Sequence, residues 1–142
     1  MQYSWFYWAL ASAFFAALTA IFAKLGLQGM DSDFATFIRT LVIIAALVLF
    51  LTYTGKWQGV GSLSSKNWTF LILSGLATGV SWLAYFKALQ LGNASQVAPV
   101  DKLSLVLVAL MSVIFLDERP SFQEWIGIGL VAGGILVLAW KR

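Results

Sequence analysis

The chain has 142 residues, of which 61% are hydrophobic and only 11% charged, with a net charge of +3. Soluble domains carry about 25% charged residues, so this composition excludes an ordinary water-soluble domain and indicates a membrane protein. Histidine and cysteine are absent from the sequence; this excludes disulfides, thiolate chemistry and the usual zinc and haem sites, and we expect no cofactor. No basic run exceeds two residues, so nucleic-acid binding is not expected.

Five apolar runs follow one another along the chain, each long enough to cross a bilayer. A hydrocarbon core about 30 Å thick needs roughly 20 residues of α-helix. The predicted spans cover residues 5–23, 34–53, 68–91, 97–116 and 122–140. Because the connections are short, we predict one all-α domain, residues 1–142, that forms a five-transmembrane-helix bundle in the cell membrane.

Residues that cap helices precede three of these spans. Asp31-Ser32-Asp33 offers side-chain oxygens to the first N–H groups of the second span, and Asn67 is predicted to do the same for the third. Ser121 is followed three residues later by Glu124, which is the spacing of a capping box. These residues fix where the helices are expected to begin.

Glycines spaced four residues apart mark two helix faces on which backbones can approach closely. Gly75 and Gly79 form such a pair in the third span, and Gly129 and Gly133 form another in the fifth. One interpretation is packing inside the bundle. The alternative is that one face, above all that of the fifth span, forms a contact between subunits.

Apart from Glu124 of the predicted capping box, four charged residues fall inside predicted spans: Arg39, Lys87, Asp101 and Lys102. Each costs about 2.5–3.5 kcal/mol at mid-bilayer. Successive helices alternate in direction, so all four lie toward the same side of the membrane, where Lys24 ends the first span. This common depth predicts a polar vestibule or binding cavity. Alternatively, each charge is accommodated separately, by snorkelling in the case of the lysines.

The environment of Asp101 has two predicted components. If the fourth span begins as a helix at Pro99, Asp101 lies in the first turn, where the helix dipole stabilises a carboxylate. Adjacent helical residues point about 100° apart, so Asp101 and Lys102 are not expected to pair. Arg39 or Lys87, on neighbouring helices, are the expected partners.

Three further side chains near the end of the third span are predicted to line the same cavity. They are Ser81, Trp82 and Tyr85. The alternative for the two rings is ordinary packing or anchoring at the membrane interface. The candidate substrate-binding or translocation residues are therefore Arg39, Ser81, Trp82, Tyr85, Lys87, Asp101 and Lys102.

Segments along nearly the whole chain resemble the EamA-type domain of the drug/metabolite transporter superfamily. The matching segments are residues 8–40, 85–104 and 115–138. Lys24 resembles the family's lysine near the end of its first helix, Arg39 its arginine just inside the second, and Glu118 its characteristic glutamate. Larger members carry two such five-helix repeats in inverted orientation. This chain has one repeat and so resembles the single-domain branch.

The resemblance implies a secondary transporter that takes up or exports a small polar metabolite. A single repeat implies a homodimer, and antiparallel protomers would recreate the inverted pair of repeats. The embedded cations outnumber the one embedded acid, which favours an anionic or zwitterionic substrate. Asp101-Lys102 departs from the uncharged stretch of many relatives, so their substrates are not carried over to this chain.

Other classes of function remain alternatives to a transporter. A non-transporting membrane subunit would use the small-residue faces to bind a larger membrane partner. A channel would conduct without saturable uptake. An enzyme is not expected, because the sequence contains neither a G-x-S-x-G motif nor paired intramembrane aspartates.

The distribution of basic residues predicts how the chain is oriented in the membrane. Five spans put the two ends of this sequence on opposite sides. One side has three loop cations, and the other has three loop and tail cations. These are Lys56, Lys66 and Arg119 against Lys24, Lys141 and Arg142. So weak a bias predicts insertion in both orientations; counting the embedded cations instead favours a fixed orientation with the Lys24 side in the cytoplasm.

Overall fold

Six α-helices make up most of the protein in the computed structural model, which describes residues 4–140. The helices are α1 (Ser4–Gly26), α2 (Ser32–Thr54), α3 (Ser65–Leu91), α4 (Ala94–Asp101), α5 (Ser104–Phe115) and α6 (Phe122–Ala139), with a short 3₁₀ turn at Val60–Ser62. No strand occurs among these residues. Lys141 and Arg142, on which the predicted orientation partly depends, lie outside the described residues.

Five helical segments are long and apolar enough to cross a bilayer. They are α1, α2, α3, α4 together with α5 (Ala94–Phe115), and α6. With 18 to 27 residues each, they measure about 27–40 Å, which matches the hydrocarbon core. The large apolar side chains are mostly exposed, as expected where lipid surrounds the helices. The predicted all-α membrane protein with five transmembrane helices is confirmed.

Contacts in the chain cluster into two compact units. The middle unit is Ile21–Leu91, in which α2 packs along α3 and Leu27, Phe86 and Leu89 are buried. The N/C unit comprises the described residues up to Ala20 and from Gly92 onward; within it α6 packs against α4 and α5. The single domain over residues 1–142 stays a prediction.

Two of the three predicted helix starts are confirmed, and one is wrong. The Asp31 carboxylate accepts hydrogen bonds from the N–H groups of Asp33 and Phe34, at 3.0 and 3.1 Å. Ser121 and Glu124 form the predicted capping box. Asn67 does not cap α3, because the helix begins at Ser65 and the Ser64 hydroxyl accepts from the Asn67 N–H instead. An N-cap oxygen reaches the N–H two or three residues on, so Ser64 occupies that position.

The fourth span, Ala94–Phe115, is interrupted by one tighter turn between α4 and α5. It begins at Ala94 instead of residue 97, and Pro99 lies inside α4 rather than at its start. Proline has no N–H and clashes with the preceding turn, and α4 ends two residues later at Asp101. Lys102 and Leu103 form a turn closed by hydrogen bonds to Pro99 and Val100. Asp101 is therefore in the last turn of α4, and its predicted stabilisation in a first turn is wrong.

The glycine faces of α3 and α6 are uncovered within their own units. A Cβ atom added at Gly75, Gly79, Gly129 or Gly133 would meet no atom of its own unit within 4 Å. Close backbone approach inside each unit therefore does not explain the four-residue spacing. The alternative, a contact between subunits, stays a prediction.

We expect Ser121→Ala to lower the free energy of unfolding by about 0.5–2 kcal/mol, because it removes the oxygen that caps α6. Glu124→Gln should cost less, since glutamine also completes a capping box. Thermal unfolding in detergent measures both. The control is Ser104→Ala, at the first residue of α5, where no described residue bonds the hydroxyl. An equal loss in the Ser104 variant would contradict the capping role.

Candidate functional site

Arg39 lies against two aromatic rings of α3. Its guanidinium carbon is 4.2 Å from the centroid of the Trp82 ring and 5.2 Å from that of Phe86. Trp82 and Phe86 are four residues apart and so share one face of the helix. The structure therefore brings together two of the predicted site residues, Arg39 and Trp82, in a cation–π contact.

The cation–π contact offsets only part of the cost of Arg39 in the membrane. Such contacts contribute about 0.5–2 kcal/mol, whereas arginine at mid-bilayer costs about 2.5–3.5 kcal/mol. Arg39 is half-buried, and no side-chain hydrogen bond joins it to another residue within 4–140. Its N–H donors, which match carboxylate and phosphate in geometry, are therefore available to water or to an anionic group.

A second cluster joins the last turn of α1 and the loop after it to the C-terminal end of α3. The Lys24 ammonium donates to the backbone carbonyl of Leu89, where a helix C-terminus favours a cation. The Gln90 amide donates to the Met30 carbonyl at 3.0 Å, and Lys87 donates to the Gln90 side-chain oxygen at 3.3 Å. Lys24 thus has a defined backbone partner in the protein rather than only a snorkelling role.

The Lys87 side chain leaves α3 on a different face from the one that contacts Arg39. This residue follows Phe86 by one position, so it leaves α3 about 100° further around the helix. Its side chain is exposed and engages Gln90 as described above. Of the other residues predicted on α3, Ser81 is exposed, and Tyr85 is half-buried with its ring edge-on to Phe86.

Asp101 and Lys102 form an ion pair, contrary to the prediction that they do not pair. The Lys102 ammonium lies 3.2 Å from the Asp101 carboxylate. The prediction considered only the angle between adjacent side chains on a helix, but the long lysine side chain reaches the neighbouring carboxylate at the C-terminal end of α4. Both residues belong to the N/C unit, whereas Arg39 and Lys87 belong to the middle unit. The approach of Arg39, Lys87 and Asp101 to one another stays a prediction.

Sequence reasoning missed a polar face on α2. The Thr36 hydroxyl donates to the Ser32 carbonyl and the Thr40 hydroxyl to that of Thr36, both at 2.8 Å. Ser32 and Thr36 are buried. Their four-residue spacing, with Arg39 on the same side, was the available signal. Phe86, the second ring beside Arg39, was likewise detectable from its spacing to Trp82.

Comparisons with known proteins agree with this membrane architecture. A sequence profile described as the EamA-like transporter family matches residues 3–140. An "Uncharacterized transporter in cobO 3'region" from a Sinorhizobium species is 53% identical over 98% of this chain and 99% of its own length. Together with the five spans, this similarity confirms a multi-pass integral protein of the cell membrane.

More distant relatives carry other descriptions. A probable 4-amino-4-deoxy-L-arabinose-phosphoundecaprenol flippase subunit, ArnE, from Hamiltonella defensa is 31% identical over 68% of this chain and 93% of its own length. An uncharacterised protein from Methanocaldococcus jannaschii is 29% identical over 69% of this chain and 72% of its own. No solved structure matches the chain.

A double-mutant cycle tests the contact between Arg39 and Trp82. We expect Arg39→Lys and Trp82→Leu to be non-additive in the free energy of unfolding, with a coupling of about 0.5–2 kcal/mol. The reason is that lysine lacks the planar guanidinium that stacks on the ring, and leucine removes the ring itself. Unfolding in detergent measures it. The matched control pairs Arg39→Lys with Trp68→Leu, at another tryptophan of α3, and this cycle should be additive. Additivity in both cycles would contradict the contact.

Proposed function

The chain belongs to the EamA-like transporter family, and from that membership we propose that it is a secondary transporter of a small polar metabolite that works as a homodimer. Family membership makes it a membrane transporter or flippase, and the relatives carry transporter and flippase names rather than enzyme names. The substrate class and the homodimer are the proposed part.

The observation that carries the proposal is the interrupted fourth span. Transporters commonly form substrate and ion sites where transmembrane helices are discontinuous. Here the break follows Asp101, about 12 Å along the span from Ala94. An ionisable residue inside a span is energetically costly, and such residues commonly mark functional sites. Asp101 and Lys102 at the break are therefore proposed translocation residues.

The charge balance supports an anionic or zwitterionic substrate. Away from the first turns of the helices, the cations inside the predicted spans are Arg39, Lys87 and Lys102, and the acid is Asp101. Asp101 is already paired with Lys102, so the Arg39 guanidinium is the cation best able to receive a carboxylate or phosphate. The Trp82 ring beneath it fixes its orientation.

The homodimer is supported by the number of helices and by the open face of α6. Five helices rarely enclose an alternating-access pathway, whereas paired repeats do so commonly. Gly129 and Gly133 leave a shallow strip on α6 that no atom of its own unit covers. Two such strips allow close helix approach between protomers.

A second candidate function is a subunit of a larger membrane assembly. The Hamiltonella defensa relative is named a flippase subunit, which favours this alternative over a channel or an enzyme. Reconstitution distinguishes the two. Uptake by the purified chain alone in liposomes supports the homodimeric transporter, whereas transport that requires one co-purifying membrane protein supports the subunit.

We expect Asp101→Asn to abolish or strongly reduce transport while the amount of folded protein stays unchanged. The substitution removes the only acid at the break in the fourth span. A thermal-shift screen of metabolites first identifies a ligand, since a bound ligand stabilises the folded state, and uptake of that ligand into proteoliposomes is then measured. Lys24→Gln, which alters the bond to Leu89, should have a milder effect. Wild-type uptake by the Asp101 variant would remove this residue from the site.

The homodimer predicts a labelling pattern and a sensitivity at the α6 glycines. Single cysteines added near Lys66 and after Arg142 should both react from outside intact cells if protomers insert in both orientations.

Gly129→Leu with Gly133→Leu should lower the dimer fraction counted by single-molecule photobleaching, and Gly75→Leu is the control on α3. Labelling at one site only would contradict the antiparallel arrangement; an unchanged dimer fraction would contradict the α6 contact.

A further inference from the structure

An open cleft of about 480 Å³ runs between α5 and α6 in the N/C unit. Leu105 and Val108 of α5 and Val131 of α6 form apolar walls. Glu118 and Glu124 lie at the end where the loop joins the two helices. The cleft is therefore amphiphilic, with a long apolar part and one acidic end.

The two carboxylates at this end are not neutralised by the protein. No ion pair involving either of them occurs within residues 4–140. Oε2 of Glu124 accepts from the backbone and hydroxyl of Ser121, and its other oxygen has no partner among those residues. Glu118 is exposed. Two negative charges thus line the same end of an apolar groove.

The acidic end lies at the level of lipid headgroups. α5 ends at Phe115 and α6 begins at Phe122, so the loop between them is at an end of the two spans. Trp125, in the first turn of α6, is 37% exposed, which is typical of the aromatic belt at a membrane interface. From Phe122, at the start of α6, to Val131 the cleft extends about 14 Å along the helix, into the hydrocarbon.

We propose that this cleft binds a phospholipid with a primary-amine headgroup, of the phosphatidylethanolamine type. The ammonium group lies between Glu118 and Glu124, and an acyl chain follows the apolar walls. A primary ammonium donates three hydrogen bonds and carries a compact charge, which suits two acceptor carboxylates. An anionic headgroup is repelled by them. The cleft volume falls within the usual range of about 300–1,000 Å³ for small-molecule sites.

A second copy of the chain fits the cleft less well than a lipid. Packing an apolar helix of a partner over it would bury the two carboxylates without a counter-ion, which is costly. A lipid supplies the cation and the apolar chain in one molecule.

Native mass spectrometry and thermal unfolding in detergent test the proposal with dioleoyl phosphatidylethanolamine, phosphatidylcholine and phosphatidylglycerol. We expect the ethanolamine lipid to be retained and to raise the unfolding temperature more than the other two. Glu118→Gln combined with Glu124→Gln should weaken its binding about tenfold or more, because the amide oxygens still accept hydrogen bonds but no longer carry the negative charges that attract the ammonium. Glutamine at 124 keeps the capping box, so the variant is expected to fold.

Asp117→Asn is the matched control. It removes one negative charge next to Glu118 but outside the cleft, and asparagine tolerates the left-handed backbone that Asp117 adopts, with φ of 54°. Its binding of the ethanolamine lipid should equal that of the wild type. A loss as large as in the double glutamine variant would overturn the proposal, since a general charge effect would then explain both.

Two further measurements separate the lipid from other occupants. Ala109→Phe narrows the cleft and should weaken retention of the ethanolamine lipid. If it instead lowers the dimer fraction and leaves lipid retention unchanged, a second copy occupies the cleft and the proposal is overturned. Equal retention of all three lipids, or full displacement of the lipid by free ethanolamine, would also overturn it.

Discussion

A charge inside a bilayer must find its stabilising partner within the protein, because the surrounding hydrocarbon offers none. In this chain three charges in or beside the spans have a partner within the protein. Arg39 uses the faces of two aromatic rings, Lys24 uses a carbonyl at the end of a helix, and Asp101 uses the residue that follows it. The Arg39 contact also joins α2 to α3, which pack against each other in the middle unit.

The same requirement shapes the candidate site. Aromatic rings stabilise a guanidinium without occupying its hydrogen-bond donors. Arg39 is therefore held in position and remains able to bind a ligand, which a salt bridge to a carboxylate would prevent. Asp101 differs, since its charge is already balanced by Lys102. The two residues thus differ: the Arg39 donors are open to a further partner, whereas the Asp101 carboxylate already has one.

The elements that depend on local composition were predicted from the sequence, and those that depend on contacts with other parts of the chain were missed. Hydropathy alone located the five spans, and short-range capping chemistry identified Asp31 and the capping box at Ser121. The start of α3 was wrong because two polar residues, Ser64 and Asn67, compete for the cap within one turn. The Arg39 contact depends on the register between α2 and α3, which no periodicity in a single helix reveals. The pairing of Asp101 was missed because only the angle between adjacent side chains was considered, and not the reach of the long lysine side chain.

The bond between Lys24 and Leu89 joins residues that are 65 positions apart in the chain. At a synthesis rate of about 5–20 residues per second, the ribosome needs about 3–13 s to add the intervening segment. During that interval the first two helices can already enter the membrane, but the carbonyl that receives the ammonium does not yet exist. The end of α1 therefore reaches its final environment only after α3 has been made.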